Sequence, residues 1–85
     1  NKIIPIIITQ IEYNGLAEKK LFLVNEKLKE IAKKNNFYII KLDEIAIMEE
    51  GDFYDTVHTT PQGSERIANI IYPQLIKILK KTIKN

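Results

Sequence analysis

The sequence predicts an α/β fold with its elements in the order β-α-β-α, and three patterns predict it. Ile3-Ile4-Pro5-Ile6-Ile7-Ile8-Thr9 is an apolar, β-branched run. An amphipathic stretch covers residues 16–34, and Phe37-Tyr38-Ile39-Ile40-Lys41-Leu42 supplies a second apolar run. Strand, long helix, strand is the unit that joins parallel strands, because parallel neighbours need a crossover of a dozen or more residues.

The first run is apolar on both faces, which suits a strand buried within a parallel sheet; Pro5, lacking an N–H, fits near its start. Asn14-Gly15 then marks a turn. Between residues 16 and 34, Ala17, Leu21, Val24, Leu28, Ile31 and Ala32 recur at spacings of three and four, giving a helix with one apolar stripe. Glu18 in its first turn and Lys33-Lys34 in its last complement the helix dipole. Asn35-Asn36 ends it, since asparagine tolerates the left-handed conformation. The second strand follows over residues 37–42. Residues 43–55 are polar and irregular, with a short helix expected over 44–49; Asp43-Glu44 can flank a cleft, a solvated helix start being the plainer reading. A last helix is expected over residues 61–81, with Thr60 as N-cap, Pro61 at its first position, and Ile67, Ile71, Leu75 and Ile78 on its buried face. Pro73 cannot donate to the carbonyl of Asn69, so a kink is expected there.

With 85 residues, 45% hydrophobic and 28% charged, the chain is one folded domain at most and not a disordered tail. Thirteen Lys+Arg against eleven Asp+Glu leave a net charge of +2, too balanced to argue for nucleic acid, and no aromatic motif is interleaved with the lysines. The absence of cysteine excludes a disulfide scaffold, a thiolate metal site and a cysteine nucleophile. The longest apolar stretch is too short to cross a bilayer, so no membrane span is expected. The chain opens on Asn1-Lys2 without methionine and reads as a piece of something longer.

In α/β folds, ligands gather at the carboxyl ends of the strands. Two loops occupy that position: Thr9-Gln10-Ile11-Glu12-Tyr13, and the segment after Leu42 that carries the chain's only histidine. In Asp55-Thr56-Val57-His58, just before a helix cap, the carboxylate can accept from one ring nitrogen. That would fix the tautomer and leave the other nitrogen as a base. The plainer alternative is a solvated loop histidine with a chance ion pair. Asp52, Asp55 and His58 make a weak metal set because no second histidine exists to join them. Ser64, the only serine, lies in the first turn of the last helix with no elbow built around it, so it reads as a helix residue and not a nucleophile. Gly63, one turn into that helix, allows a neighbouring backbone to approach closely. Thr59 and Thr60 are cap candidates, with Gln62 able to reach back to Thr59.

Asp55-Thr56-Val57-His58 followed by Thr59-Thr60-Pro61-Gln62-Gly63-Ser64-Glu65-Arg66-Ile67-Ala68 resembles the C-terminal signature of SGNH (GDSL-type) hydrolases. That signature is Asp-x-x-His, a short polar spacer, Gly, then a helix whose first apolar positions include Ile-Ala. The preceding strand, helix and strand agree with it, so the resemblance spans nearly the whole chain. It implies that residues 1–85 are the C-terminal portion of a flavodoxin-like α/β/α sandwich with a parallel sheet. It further implies a serine ester or thioester hydrolase in which His58 moves the serine proton and Asp55 orients it, with no metal or organic cofactor.

Lipids, acyl thioesters and O-acetylated sugars are all substrates within that class. Gln10, Tyr13, Phe53 and Tyr54 are the candidates for lining the substrate, although the two aromatics of the second loop can equally pack it onto the body. The family's Gly-Asp-Ser nucleophile motif and its oxyanion donors are not in this sequence. The piece alone is therefore expected to be inactive and to pack against the missing N-terminal part of its domain or against a second copy. The rival reading is a non-catalytic α/β binding or assembly module.

Overall fold

The structure, a computed structural model, describes residues 3–12, 19–55 and 58–84. Its elements in order are β1 (Ile6–Ile8), α1 (Lys19–Asn35), β2 (Tyr38–Ile40), α2 (Leu42–Ile45) and α3 (Pro61–Lys84). β1 and β2 pair in parallel, with Ile6 opposite Tyr38, Ile7 opposite Ile39 and Ile8 opposite Ile40. The expected α/β character and parallel pairing are therefore present. Tyr13, Asn14, Gly15, the start of the first helix at 16–18, Thr56 and Val57 lie outside the described residues.

Three boundaries differ from expectation for local reasons. Each strand is three residues long, because pairing stops where the Thr9 amide donates to the Ile40 carbonyl at 3.1 Å, while Ile3, Ile4 and Pro5 stay exposed. The short helix forms earlier than 44–49, over Leu42–Ile45. Leu42 is buried and anchors its first turn, whereas Ile47 is exposed and holds nothing further on. α3 extends to Lys84 and is continuous through Pro73.

α1 ends as the asparagines suggest. Asn36 takes φ 56°. The Phe37 amide donates to the Ala32 carbonyl at 2.8 Å and the Asn36 amide to the Lys33 carbonyl at 3.3 Å, which together form a Schellman motif. α3 begins as expected too. Thr60 Oγ1 accepts from the Gly63 amide at 3.1 Å, and the Ser64 amide donates to the Thr60 carbonyl at 2.8 Å.

Among the described residues, the buried hydrophobic ones are Ala32, Ile40, Leu42 and Ile78, gathered around β2. α1 and α3 make their main tertiary contacts with β2, so Ile6, Ile7 and Ile8 of β1 are only half-buried. Val24, expected on the apolar stripe of α1, is half exposed beside Phe22 and Leu23. Because the Thr9 amide faces β2, strand alternation turns the backbone groups of Ile6 and Ile8 toward the opposite edge. No strand pairs with that edge among the described residues.

The molecule is correspondingly open. Its radius of gyration is 14.1 Å, against about 12 Å for a compact chain of this length. Its accessible surface is 6653 Å², against roughly 5,200 Å² for a compact monomer of this mass.

Gly63 fills the role its position suggested. A Cβ built there would overlap the carbonyl oxygen, carbonyl carbon and Cα of Asp52. These are backbone atoms, so they cannot swing aside. Gly63→Ala is therefore expected to destabilise the chain by about 1–3 kcal/mol, outweighing the roughly 1 kcal/mol of helix propensity that alanine adds. Urea unfolding of the two chains checks it; an unchanged or raised midpoint would show that the Asp52 backbone is free to move.

Candidate functional site

The segment between α2 and α3 folds into a narrow antiparallel turn. It begins with Gly51 at φ 91°, a backbone conformation that favours glycine. Phe53 then bridges to Thr59, the Tyr54 amide donates to the His58 carbonyl at 2.8 Å, and the Thr60 amide donates to the Asp52 carbonyl at 2.9 Å. Asp55 and His58 sit near the tip, one on each arm.

The expected pairing of Asp55 with His58 is present. Imidazole Nδ1 lies 2.8 Å from Asp55 Oδ2 and 3.1 Å from Oδ1, and the His58 backbone amide donates to Oδ1 at 2.8 Å. An ionised carboxylate only accepts, so a neutral ring must carry its proton on Nδ1, leaving Nε2 as the basic nitrogen. The His58 side chain is 74% exposed and that of Asp55 55%. Nε2 makes no hydrogen bond with any described side chain. A ring so held can take a proton at Nε2 while the carboxylate steadies the resulting imidazolium.

Beneath this turn lies Asp52, whose side chain is fully buried. Its Oδ2 accepts from the Glu49 amide at 2.7 Å and from Arg66 Nε at 2.7 Å; its Oδ1 accepts from Gln62 Nε2 at 2.9 Å. Arg66 also pairs with Glu49 at 2.9 Å. The Glu49 amide, joined by Gln62 and Arg66, holds the Asp52 carboxyl below the ordinary carboxylate value against the opposing effect of burial. Gln62 therefore bonds Asp52 and not Thr59, because its i+4 neighbour Arg66 brings the carboxylate to the same helix face. Thr59 does not cap the helix; its hydroxyl lies 2.7 Å from Ser64 Oγ. With Asp52 bound to Arg66, it does not join Asp55 and His58 as ligands. No metal-binding group of three such side chains occurs among the described residues.

A second polar cluster sits at the carboxyl ends of the strands. The Thr9 hydroxyl donates to Asp43 Oδ1 at 2.6 Å and accepts from the Asp43 amide at 3.0 Å. Lys29 Nζ lies 2.8 Å from Asp43, 2.8 Å from Glu44 and 2.9 Å from Glu26. Hydrogen bonds to Asp43, then Glu44 and Glu26, raise the Lys29 pKa well above that of a free lysine. Burial pushes the Asp43 carboxyl up, but Lys29 and Thr9 together bring it below its ordinary value. Asp43 is thus an internal anchor and not the solvated helix start expected of it.

Gln10 sits at this end, its amide and carbonyl each bonded to Asn25 at 2.8 Å. No hydrogen bond joins Gln10 to the histidine turn among the described residues. Phe53, half-buried, and Tyr54, exposed, flank the pair within the turn itself. Tyr13 is outside the described residues. One cleft of about 510 Å³ is lined by Lys29, Ala32, Phe37, Ile39 and Lys41 among others, and one of about 340 Å³ by residues of α3; neither is lined by Asp55 or His58. No helix among the described residues is long and apolar enough to cross a membrane. No family model, curated protein or solved structure matches this chain.

The two internal carboxylates set an acid dependence. Asp52 and Asp43 both have folded-state pKa values below their unfolded ones. Each contributes stability that is present above the unfolded carboxylate value of about 3.9 and is lost as pH falls through its folded value. Urea midpoints are expected to be level from pH 8 down to about 5 and to fall steeply below about 4, with a smaller fall in Asp52→Asn. An acid-insensitive midpoint would remove both carboxylates from the stability of the fold.

Proposed function

We propose that this chain is the C-terminal part of an SGNH (GDSL-type) serine hydrolase acting on an ester or thioester, supplying the Asp and His of a Ser-His-Asp triad. The observation that carries the reading is the Asp55–His58 geometry. One carboxylate accepts from both the ring Nδ1 and the backbone amide of the same histidine, on a turn that leaves the ring exposed. His58 Nε2 takes the proton of a serine hydroxyl as that oxygen attacks the acyl carbon. It then returns the proton to the leaving alcohol or thiol and activates water for deacylation, while Asp55 orients the ring and stabilises its charge. No metal or organic cofactor enters this chemistry. Ser64 is not the nucleophile in this reading, as its hydroxyl is bonded to Thr59. Lipid, acyl thioester and O-acetylated sugar substrates all fit the proton transfers.

The nucleophile, the oxyanion donors and the walls of a substrate cleft come from the rest of the domain. In this reading the parallel sheet continues past β1 into a flavodoxin-like sandwich. Two features support that extension: the β1 edge, unpaired among the described residues, and a surface excess of about 1,450 Å² over a compact monomer, larger than the ~800 Å² one partner buries in a standard interface. The occupant is the N-terminal part of the same domain, or failing that a second copy of this chain.

The test is hydrolysis of p-nitrophenyl acetate by the complete translation product that contains this chain. His58→Ala is expected to lower kcat/KM by at least about 1,000-fold with an unchanged far-UV circular dichroism spectrum, because the ring is exposed. The 85-residue chain alone is expected to show no turnover above background. A complete product without esterase or thioesterase activity, or one indifferent to His58→Ala, favours the non-catalytic module instead.

Sedimentation equilibrium addresses the partner. The 85-residue chain is expected to associate with itself or to remain poorly folded until its complement is added. A cooperatively folded 9.9 kDa monomer at all dilutions would overturn the open-edge reading.

A further inference from the structure

We infer that Asp52 is the positioning residue of the Asp55–His58 pair, holding the turn that carries both against the N-terminus of α3. Asp52 acts on both arms of that turn at once. Its side chain is tied to the first two turns of α3 through Gln62 and Arg66, and its carbonyl accepts the Thr60 amide at the base of the opposite arm. Asp55 lies three residues after Asp52 and His58 two before Thr60. The bridge of Phe53 with Thr59 and the bond from the Tyr54 amide to the His58 carbonyl carry that register outward to the pair.

Two further features serve the same contact. Gly63 has no Cβ, which is what lets the Asp52 backbone sit against the helix. Thr60 Oγ1 caps α3 through the Gly63 amide and also donates to the Gly51 carbonyl at 2.6 Å, closing the turn from the other side. Arg66, the chain's only arginine, bonds Asp52 and Glu49 and so joins both ends of the sharp bend at residues 49–52 to α3. A fully buried carboxylate that binds the helix beneath a catalytic candidate, and not the apolar core, marks a positioning role.

Any kinetic consequence rests on the proposed hydrolase reading; the positioning role does not. The experiment is therefore spectroscopic, on the complete translation product that contains this chain. The tautomer of His58 is read from its ring ¹⁵N shifts, and hydrogen exchange is read at the Tyr54 and Thr60 amides. In the unaltered chain the Nδ1–H tautomer should dominate the neutral ring, and the two amides should open together. Asp52→Asn removes the charge that Arg66 pairs with and leaves one acceptor oxygen where the Glu49 amide, Gln62 and Arg66 use two. It should shift the ring toward the Nε2–H tautomer and cost Tyr54 and Thr60 about tenfold or more in protection, as losing a hydrogen bond to a charged group implies.

Arg66→Lys keeps the charge and the helix but loses the Nε contact, so it should produce a smaller shift in the same direction. It also serves as the reading should Asp52→Asn fail to fold. A merely structural Asp52 would lower the thermal midpoint in both variants while the ring, read below that midpoint, kept its original tautomer ratio. That result, or independent exchange of Tyr54 and Thr60 in the unaltered chain, would overturn the inference. In the complete enzyme, Asp52→Asn should lower kcat more than it raises KM. A chain that never hydrolyses an ester can still pass or fail the spectroscopic arm, so the two failures are distinguishable.

Discussion

A carboxylate with no exposed surface is an expensive thing to place in a protein, and the way Asp52 is accommodated organises everything after α2. Taking an ion out of water costs several kcal/mol unless its lone pairs are met by donors of good geometry. Asp52 meets that condition with three donors from two directions: the Glu49 amide from the bend before it, and Gln62 and Arg66 from the helix after it. These donors reach the carboxylate because the bend at residues 49–52 lies against the start of α3. The turn, the cap at Thr60 and the close approach at Gly63 are different aspects of that one constraint. Removing a single donor would leave a buried charge one donor short, which is why the network behaves as a unit.

The same logic operates at the other end of the molecule, with a different cast. Thr9 is fully buried, and its hydroxyl both donates to and accepts from Asp43. Lys29 draws Asp43, Glu44 and Glu26 together. Asn25 bonds both backbone groups of Gln10. These contacts bind the end of β1, the middle of α1 and the start of α2 to one another without a large apolar core, and the buried hydrophobic residues are correspondingly few. Polar staples with fixed geometry specify register well but add modest net stability. A fold held this way is pinned where Thr9 meets Asp43 and weakly sealed along β1, where the isoleucines are only half-buried.

The α/β order, the parallel pairing, the left-handed Asn36 and the cap and proline that start α3 could all be read from the sequence. Each of these depends on a residue's own conformational preference or on periodicity within a few turns. So could Gly63, whose position one turn into a helix implied a close neighbour, and the spacing of Asp55 and His58, which is local. The two polar networks could not be read, because Asp52 to Arg66 and Thr9 to Asp43 are contacts between separate elements and ion-pair chemistry carries no periodicity. One signal was nonetheless available. Arg66 is the only arginine in a lysine-rich chain, and it lies four residues after Gln62 on one helix face, opposite the loop that holds Asp52. Asp43 differs from its expected role for the converse reason: an acidic first turn looks solvated until α1 brings Lys29 to it.

The site differs from the rest of the fold in one respect that bears on how a triad could be assembled from parts. Asp55 and His58 are three residues apart on the same turn, so the partner that orients the imidazole lies on the very segment that Asp52 ties to α3. In the proposed triad, the base and its orienting carboxylate would therefore be prepared before a nucleophile met them. A serine within reach of Nε2 and donors for the oxyanion would come to that triad from elsewhere, and a preformed base would lower the entropic cost of that meeting. Precision then depends on how firmly the turn is held relative to the sheet that would carry the serine. Through α3, which packs on β2, Asp52 links the turn to that sheet. The buried carboxylate and the exposed imidazole are in this sense two ends of one lever, with the helix as its rigid arm.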